Sequence, residues 1–280
     1  MGDALFVKRK DMMDGGFTFS ASDLGGSRRL ALIASLVPPG GRVVDIGTDH
    51  ARIPIALLKK GVVSEVLATD IRRGPLFAAR RHVNQENVDR ERITFLETNG
   101  FEKISLTSDD TVIISGLGGE SITQILRAGL AKAQRARRLV LQPQTYDEVL
   151  RCFLYEVGLI PFNEIAVFDR RYSYLVIVCD PSIPVHSSPF CSSVDKYFGQ
   201  CFLDKTRVFY RLLYKDIPFN ADQFCLSFQK RLVEYRTEDT AAPWSYLAWL
   251  YQKLQKLIKR KPFDSKIESL ILQLEMRMNT

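Results

Sequence analysis

The feature that most constrains this chain is an alternation. Between Ser27 and Asp180, short apolar runs of strand character take turns with amphipathic helical stretches. The strand runs are "RVVDIG", "VSEVLATD", "RITFLET", "TVIISG" and "RRLVLQP", and then "IPFNEIAVFD" and "RRYSYLVIVCD" follow with almost nothing between them. Helical patterns lie at "SRRLALIASLV", "ARIPIALLKKG", "GPLFAARRHVNQE", "GESITQILRAGL" and "TYDEVLRCFLYEVG". A helix between two strands carries the chain back to the same end of the sheet, so the strands pair in parallel and helices cover both faces. The last two strands leave no room for a crossover, so they form a hairpin. The expected fold class is therefore α/β: a Rossmann-like sheet of seven strands, mostly parallel, with an antiparallel hairpin at one edge.

Local punctuation agrees. Ser27 is placed to cap a helix whose Leu30, Ile33, Ala34 and Val37 recur at helical spacing. The "PPGG" that follows stops it, and Gly61 ends the next helix. Residues 1–23 carry Gly, Asp and isolated aromatics without periodicity and read as a loose arm. The α/β domain spans 24–182. The Pro/Ser-rich "DPSIPVHSSP" marks a linker at 183–190. Residues 191–280 read as a helical, coiled-coil-like domain, with Leu247, Leu250, Leu254, Leu257 and Ile258 forming one stripe. A second pattern, "SKIESLILQLEMRM", makes a helical hairpin more natural there than a membrane-surface helix.

Composition excludes little and permits one partner. The net charge of +7 permits a polyanion such as RNA without demanding one. The five cysteines (152, 179, 191, 201 and 225) are odd in number and scattered, with no C-x-x-C pair, which argues against zinc and a disulfide framework. Free thiols in a reducing cytoplasm are the expectation, with no metal. No signal-peptide pattern and no apolar run of bilayer length is present, so no membrane partner is expected.

In an open parallel sheet, ligands bind at the carboxyl ends of the strands. Those ends here are "DIGTDH", "ATDIRR", "LETNGF", "ISGLGG" and "LQPQ". A dinucleotide site would carry G-x-G-x-x-G after the first strand, to seat a pyrophosphate on a helix N-terminus. Instead Gly47 is followed by Thr48, Asp49 and His50, and Asp49 puts negative charge where the pyrophosphate would lie. That disfavours NAD and favours a ligand with a positive centre and no phosphate. Asp70 ends the second strand, where an acid can accept both hydroxyls of a ribose. S-adenosyl-L-methionine meets these demands. Either acid alone is weak evidence, because strand-end acids often only cap the next helix.

The stretches "SRRLALIASLVP", "VVDIGTDHARIP", "GPLFAARRHV", "VIISGLGGESITQILRAG" and "LVLQPQ" resemble, in order, the bacterial tRNA adenine-22 N1-methyltransferases. The resemblance covers about Ser27 to Asp180 and extends in broad form to the helical tail. It implies a class I methyltransferase sheet and methyl transfer from S-adenosyl-L-methionine to N1 of an adenine of tRNA, at position 22. The cofactor residues it and the strand-end reading imply are Asp45, Gly47, Asp70, Ile71, Asn99, Gly100, Ser115 and Gly116. On the substrate side they are Gly118, Gly119, Gln142, Pro143, Gln144, Arg72 and Arg73. The chain departs from the family at Asn99, where the pattern has an acid in G-D-G, at Leu117 in place of Met, at Gln144 in place of Asn, and through an atypical final strand, "DRRYSYLVIV".

This chemistry asks little of side chains, because the sulfonium methyl is already activated and adenine N1 has a lone pair. Proximity and orientation carry much of the rate, and the base must be exposed first. Glycines in "ISGLGG" would let backbone approach a flat base. No N-P-P-Y motif points to amino-group methylation. Asp49 is the candidate catalytic residue, relieving charge that develops on the base; capping the following helix is an equal alternative. His50 reads as packed or capping, His82 as surface and His186 as inert. Arg72, Arg73, Arg80 and Arg81 could meet phosphates, as could Lys253, Lys256, Lys259, Arg260 and Lys261 in the tail. Two alternatives stay open: methylation of another RNA, and an RNA-binding relative that kept the fold with weakened turnover. An NAD oxidoreductase is remote, no DNA partner is expected, and the oligomeric state is not readable.

Overall fold

The computed structural model describes residues 17–170, 172–182 and 265–279. Helix α1 (Arg28–Ser35) leads into strand β1 (Arg42–Ile46), α2 (Arg52–Lys59), β2 (Glu65–Asp70), α3 (Arg73–Gln85) and β3 (Ile93–Glu97). Then come β4 (Thr111–Leu117), α4 (Gly119–Ala128), the short α5 (Leu130–Ala133), β5 (Arg138–Pro143), α6 (Asp147–Glu156), β6 (Pro161–Asp169) and β7 (Tyr172–Cys179). A last described helix, α7, covers Ser265–Asn279. The seven strands form one sheet in the order β3-β2-β1-β4-β5-β7-β6. Neighbours from β3 to β5 run parallel. Strand β7 is antiparallel to both β5 and β6. The hairpin thus sits as expected, but its second strand inserts between β5 and its own partner, so the edge strand is β6.

Alternation along each strand splits the core in two. Val44, Ile46, Val112, Ile114, Leu139 and Leu141 face Ile122 and Leu126 of α4 and Leu150 and Leu154 of α6. Val43, Ile113, Val140 and Val176 face Ile33 of α1, Leu57 of α2 and Val83 of α3. Every one of these is buried, which is why the strands read as near-continuous apolar runs. Leu274 and Met278 of α7 are buried in the first cluster, so the end of the chain packs on the α4/α6 face. The expected linker and most of the expected helical domain, with His186 and the tail lysines, lie outside the described residues. Among the described residues, no helix is long and apolar enough to cross a membrane.

The reading of residues 1–23 as a loose arm is corrected at its end. Phe19 is buried, its amide donates to Ser35 Oγ at 3.0 Å, and the Lys60 ammonium lies 4.5 Å from its ring centroid. An isolated aromatic without periodicity can still be a core residue when it plugs the end of a helix. Ser27 caps α1 as expected, its Oγ accepting from the Leu30 amide at 3.2 Å.

Candidate functional site

A cavity of about 650 Å³ opens at the carboxyl ends of β1, β2 and β4. It lies where the strand order reverses between β1 and β4, the place an open α/β sheet leaves a crevice. Its floor begins at Gly47 (φ +81°). The amides of Gly47 and Thr48 both donate to the Thr69 carbonyl, at 2.9 and 2.8 Å, which ties the end of β1 to β2. His50 and Ala51 follow in left-handed conformations (φ 56° and 50°). Ala51 is the N-cap of α2 and supplies no side-chain cap. The capping alternative for Asp49 therefore falls away: its side chain is 82% exposed, lines the cavity and lies 3.3 Å from His50 Nε2. His82, read from the sequence as surface, is half-buried, and its Nδ1 lies 2.6 Å from the His50 carbonyl. A carbonyl only accepts, so that nitrogen carries the proton and pins α3 to the loop.

Two acids stand at adjacent strand ends. Asp45 is buried, and burial pushes its carboxyl up to about 6, with the Asp70 charge adding and the Thr48 hydroxyl opposing. Asp70 accepts the Arg72 amide on Oδ1 at 2.8 Å, and Arg72 Nε is 3.9 Å from the same oxygen. Asp70 Oδ2 has no partner among the described residues, which leaves an acceptor-only group in the cavity wall.

The end of β4 forms the middle of the cavity. Pairing with β5 slips between Ser115 and Leu117, so Gly116 is a bulge, with φ +78°. A Cβ there would meet only Arg29 Nη1 at 3.9 Å and Gln144 Nε2 at 4.0 Å, so this backbone faces open space. Ser115, Gly116 and Gln144 all line the cavity. Gly119 differs. A Cβ there would lie 2.1 Å from the Tyr146 carbonyl oxygen, so the protein's own backbone, and not a base, demands this glycine. Gly118 caps α4 in extended conformation, with Thr145 Oγ1 3.3 Å from its would-be Cβ. Neither Gly118 nor Gly119 lines the cavity.

Gln142, expected to meet substrate, is fully buried with both ends of its amide engaged. Its Oε1 accepts from Arg29 Nη1 at 2.5 Å and the Gly116 amide at 3.2 Å, and its Nε2 donates to the Pro143 carbonyl at 2.6 Å. It braces the bulge. Pro143 is buried in β5 and does not reach the cavity either.

The far wall comes from residues that sequence reasoning missed: Arg29, Arg52, Asp169, Arg170 and Tyr174. Asp169 ends β6 and accepts Ser27 Oγ at 2.6 Å and the amides of Arg28 and Arg29 at 3.4 Å, so it holds the first turn of α1. Arg29 lies over the Tyr174 ring, 5.2 Å from the centroid, and burial lowers its pKa from the ordinary arginine value while Tyr174 and Asp169 oppose that shift. Only the unusual "DRRY" at the end of β6 could have signalled this wall in the sequence.

Several expected residues share the end of the sheet without lining the cavity. Ile71 is 61% exposed. Asn99 Nδ2 donates to Glu102 at 3.0 Å, and Gly100 packs toward Ile125. Arg73 pairs with Glu97 at 2.7 Å, and Arg80 lies over the Phe95 ring. Arg72 alone of these arginines borders the cavity. Among the described residues, no cluster of His, Cys, Asp and Glu suits a metal ion.

Residues 26–177 match the family described as methyltransferase domain. A Bacillus subtilis protein named tRNA (adenine(22)-N(1))-methyltransferase is 31% identical over 159 residues, 57% of this chain and 66% of that protein, so the chain spans just under two thirds of that relative. A Streptococcus pneumoniae structure in complex with S-adenosyl-L-methionine is 26% identical, covering 81% of this chain and 98% of that one, with a TM-score of 0.59. The B. subtilis tRNA methyltransferase crystal structure shares the fold, at 22% identity and a TM-score of 0.60 over 90% of this chain and 95% of that one.

Proposed function

The chain belongs to the methyltransferase-domain family, and from that premise we propose that it acts as a bacterial tRNA (adenine-22-N1)-methyltransferase, transferring a methyl group from S-adenosyl-L-methionine to N1 of an adenine in tRNA, at position 22. One observation carries this reading: the paired strand-end acids Asp45 and Asp70 flank a glycine turn with no phosphate cradle, in a cavity that runs on past Gly116 to a second wall. The residues suit the cofactor. Asp70 offers a carboxylate oxygen free for a ribose diol, Asp45 is poised to be a counter-charge for a cation, and Gly116 leaves backbone open. When bound, the cofactor supplies an electrophilic methyl group that needs no activation.

The chain's own residues then have three tasks. They expose the base and hold N1 in line, which supplies much of the rate through orientation. They keep the bulge at Gly116 rigid through Gln142 and Arg29. They offset the positive charge that N1 alkylation leaves on the ring, a role for Asp49, which stays uncapped and faces the cavity. Arg72 at the rim and Arg73 beside it meet RNA phosphates, Arg73 by exchanging its bond to Glu97, and Gln144 contacts the base. Asn99 contributes to the adenine only by exchanging its bond to Glu102. On this reading the protein meets its tRNA in the cytoplasm, and no DNA partner is expected.

That bond between Asn99 and Glu102 also favours a second reading, an RNA-binding relative with weak turnover. Nucleoside analysis of an unmodified tRNA transcript, after incubation with protein and cofactor, separates the two. The first reading expects 1-methyladenosine. N6-methyladenosine would contradict the regiochemistry, and unmodified RNA bound to protein would support the second reading.

A further inference from the structure

We infer that the β6–β7 hairpin carries a base-stacking ladder for unpaired nucleotides of the RNA substrate, built from Arg29, Tyr174 and Tyr172; the inference rests on the RNA-methyltransferase reading above. Tyr172 and Tyr174 are two apart on β7, so they share one face of the sheet. Tyr174 lines the cavity. Tyr172 lies outside it and is 65% exposed. Their rings meet edge to face, 6.4 Å between centroids at 64°. On the inner side Arg29 covers Tyr174 at 5.2 Å. From the cavity outward the order is cation, ring, ring.

The ladder is held rigidly to the site. Asp169, at the hairpin's end, binds the first turn of α1, and Gln142 fixes Arg29 to the β4 bulge. Arg170 turns between the two strands with φ +58° and borders the cavity as well. An aromatic ring so exposed adds little to the core. Flat rings beside arginines, leading into a cavity, suit nucleobases, because every base has a π-face and its backbone is anionic. The acid in the cluster, Asp169, already has its oxygens occupied by α1, so it does not repel a polyanion as a free carboxylate would.

The test uses the full chain, with Tyr172→Ala and Tyr172→Phe. Three readouts are needed: affinity for a labelled, unmodified tRNA transcript, methyl transfer to it, and calorimetric affinity for S-adenosyl-L-methionine. Tyr172→Ala is expected to weaken RNA binding and raise KM for RNA by between about fivefold and a hundredfold, the worth of one lost stacking platform. Cofactor affinity stays within about twofold, since Tyr172 does not line the cavity. Tyr172→Phe, which keeps the ring, stays within about twofold on every readout. If Tyr172→Ala binds and methylates RNA as the parent does, the ladder is wrong and the function stands. If Phe is as damaging as Ala, a hydroxyl contact replaces stacking and the ladder is overturned. Loss of cofactor binding in Tyr172→Ala, or self-association of the parent that this variant abolishes, overturns it too. A parent that binds cofactor but neither binds nor methylates RNA removes both readings together.

Discussion

Arg29 and Gln142 are 113 residues apart in sequence and 2.5 Å apart in space, Nη1 to Oε1, and the same oxygen takes the Gly116 amide at 3.2 Å. One buried side chain therefore connects the first helix, the β4 bulge and the end of β5. Replacing it with an apolar residue of similar size strands a guanidinium and an amide at once. Gln142→Leu is expected to lose about 2–3 kcal/mol of stability, the cost of unsatisfied buried donors. Denaturant unfolding measures this. Methyl transfer should fall further than cofactor affinity, because the bulge lies between the two halves of the cavity.

Asp70 is expected to act on the cofactor and hardly on the fold. Its Oδ1 bond to the Arg72 amide survives in Asp70→Asn, but a charged acceptor becomes neutral. Affinity for S-adenosyl-L-methionine should drop about 10- to 100-fold, the worth of charge-assisted over neutral bonds to a diol. Calorimetry on the apo protein reads it directly.

The buried Asp45 gives a pH signature. Its folded pKa of about 6 exceeds the ordinary 3.8, so the folded state holds the proton more tightly than the unfolded chain. Below pH 3.8 both states are protonated and nothing is lost. Stability then falls as pH rises through about 6, by about 3 kcal/mol in full. Asp45→Asn should therefore stabilise the apo protein near pH 7.5 and change it little near pH 4. Binding of the cationic cofactor favours the ionised form, so affinity should weaken on acidification below about 6, by up to about tenfold per unit. The Asn variant should bind weakly with no such slope.

The two glycines that start α4 differ in how much room the fold leaves beside them. Gly119→Ala would push a methyl to 2.1 Å from the Tyr146 carbonyl oxygen, so the backbone must move. A loss of about 2–3 kcal/mol is expected, typical of overpacking. Gly118→Ala meets only the side-chain hydroxyls of Thr145 at 3.3 Å and Ser121 at 3.9 Å, in an ordinary conformation, and should cost less than about 1 kcal/mol. Paired denaturant midpoints decide between them.

Much of this was legible from local pattern. Strands buried on both faces read as runs such as "RLVLQP", and two runs with no helix between them forced a hairpin. The place of Asp45, Gly47 and Asp70 in the cavity was legible because a parallel sheet gathers its strand ends around one crevice. What stayed hidden depends on contacts across the chain. Nothing local in "SRRL" says that Arg29 reaches β5, and nothing in "LQPQ" says that Gln142 turns inward while Gln144 faces the cavity. The sequence pattern marks a glycine without saying whether a ligand or, as at Gly119, a neighbouring carbonyl needs the space. The insertion of β7 beside β5 follows from pairing, not from order along the chain.

The most direct test is methyl transfer from labelled S-adenosyl-L-methionine to two unmodified tRNA transcripts that differ at position 22, adenine in one and guanine in the other. The account predicts label in the adenine transcript and none in the guanine transcript. Equal labelling of both would contradict the target, and no labelling of either, with cofactor bound, would contradict the reaction itself.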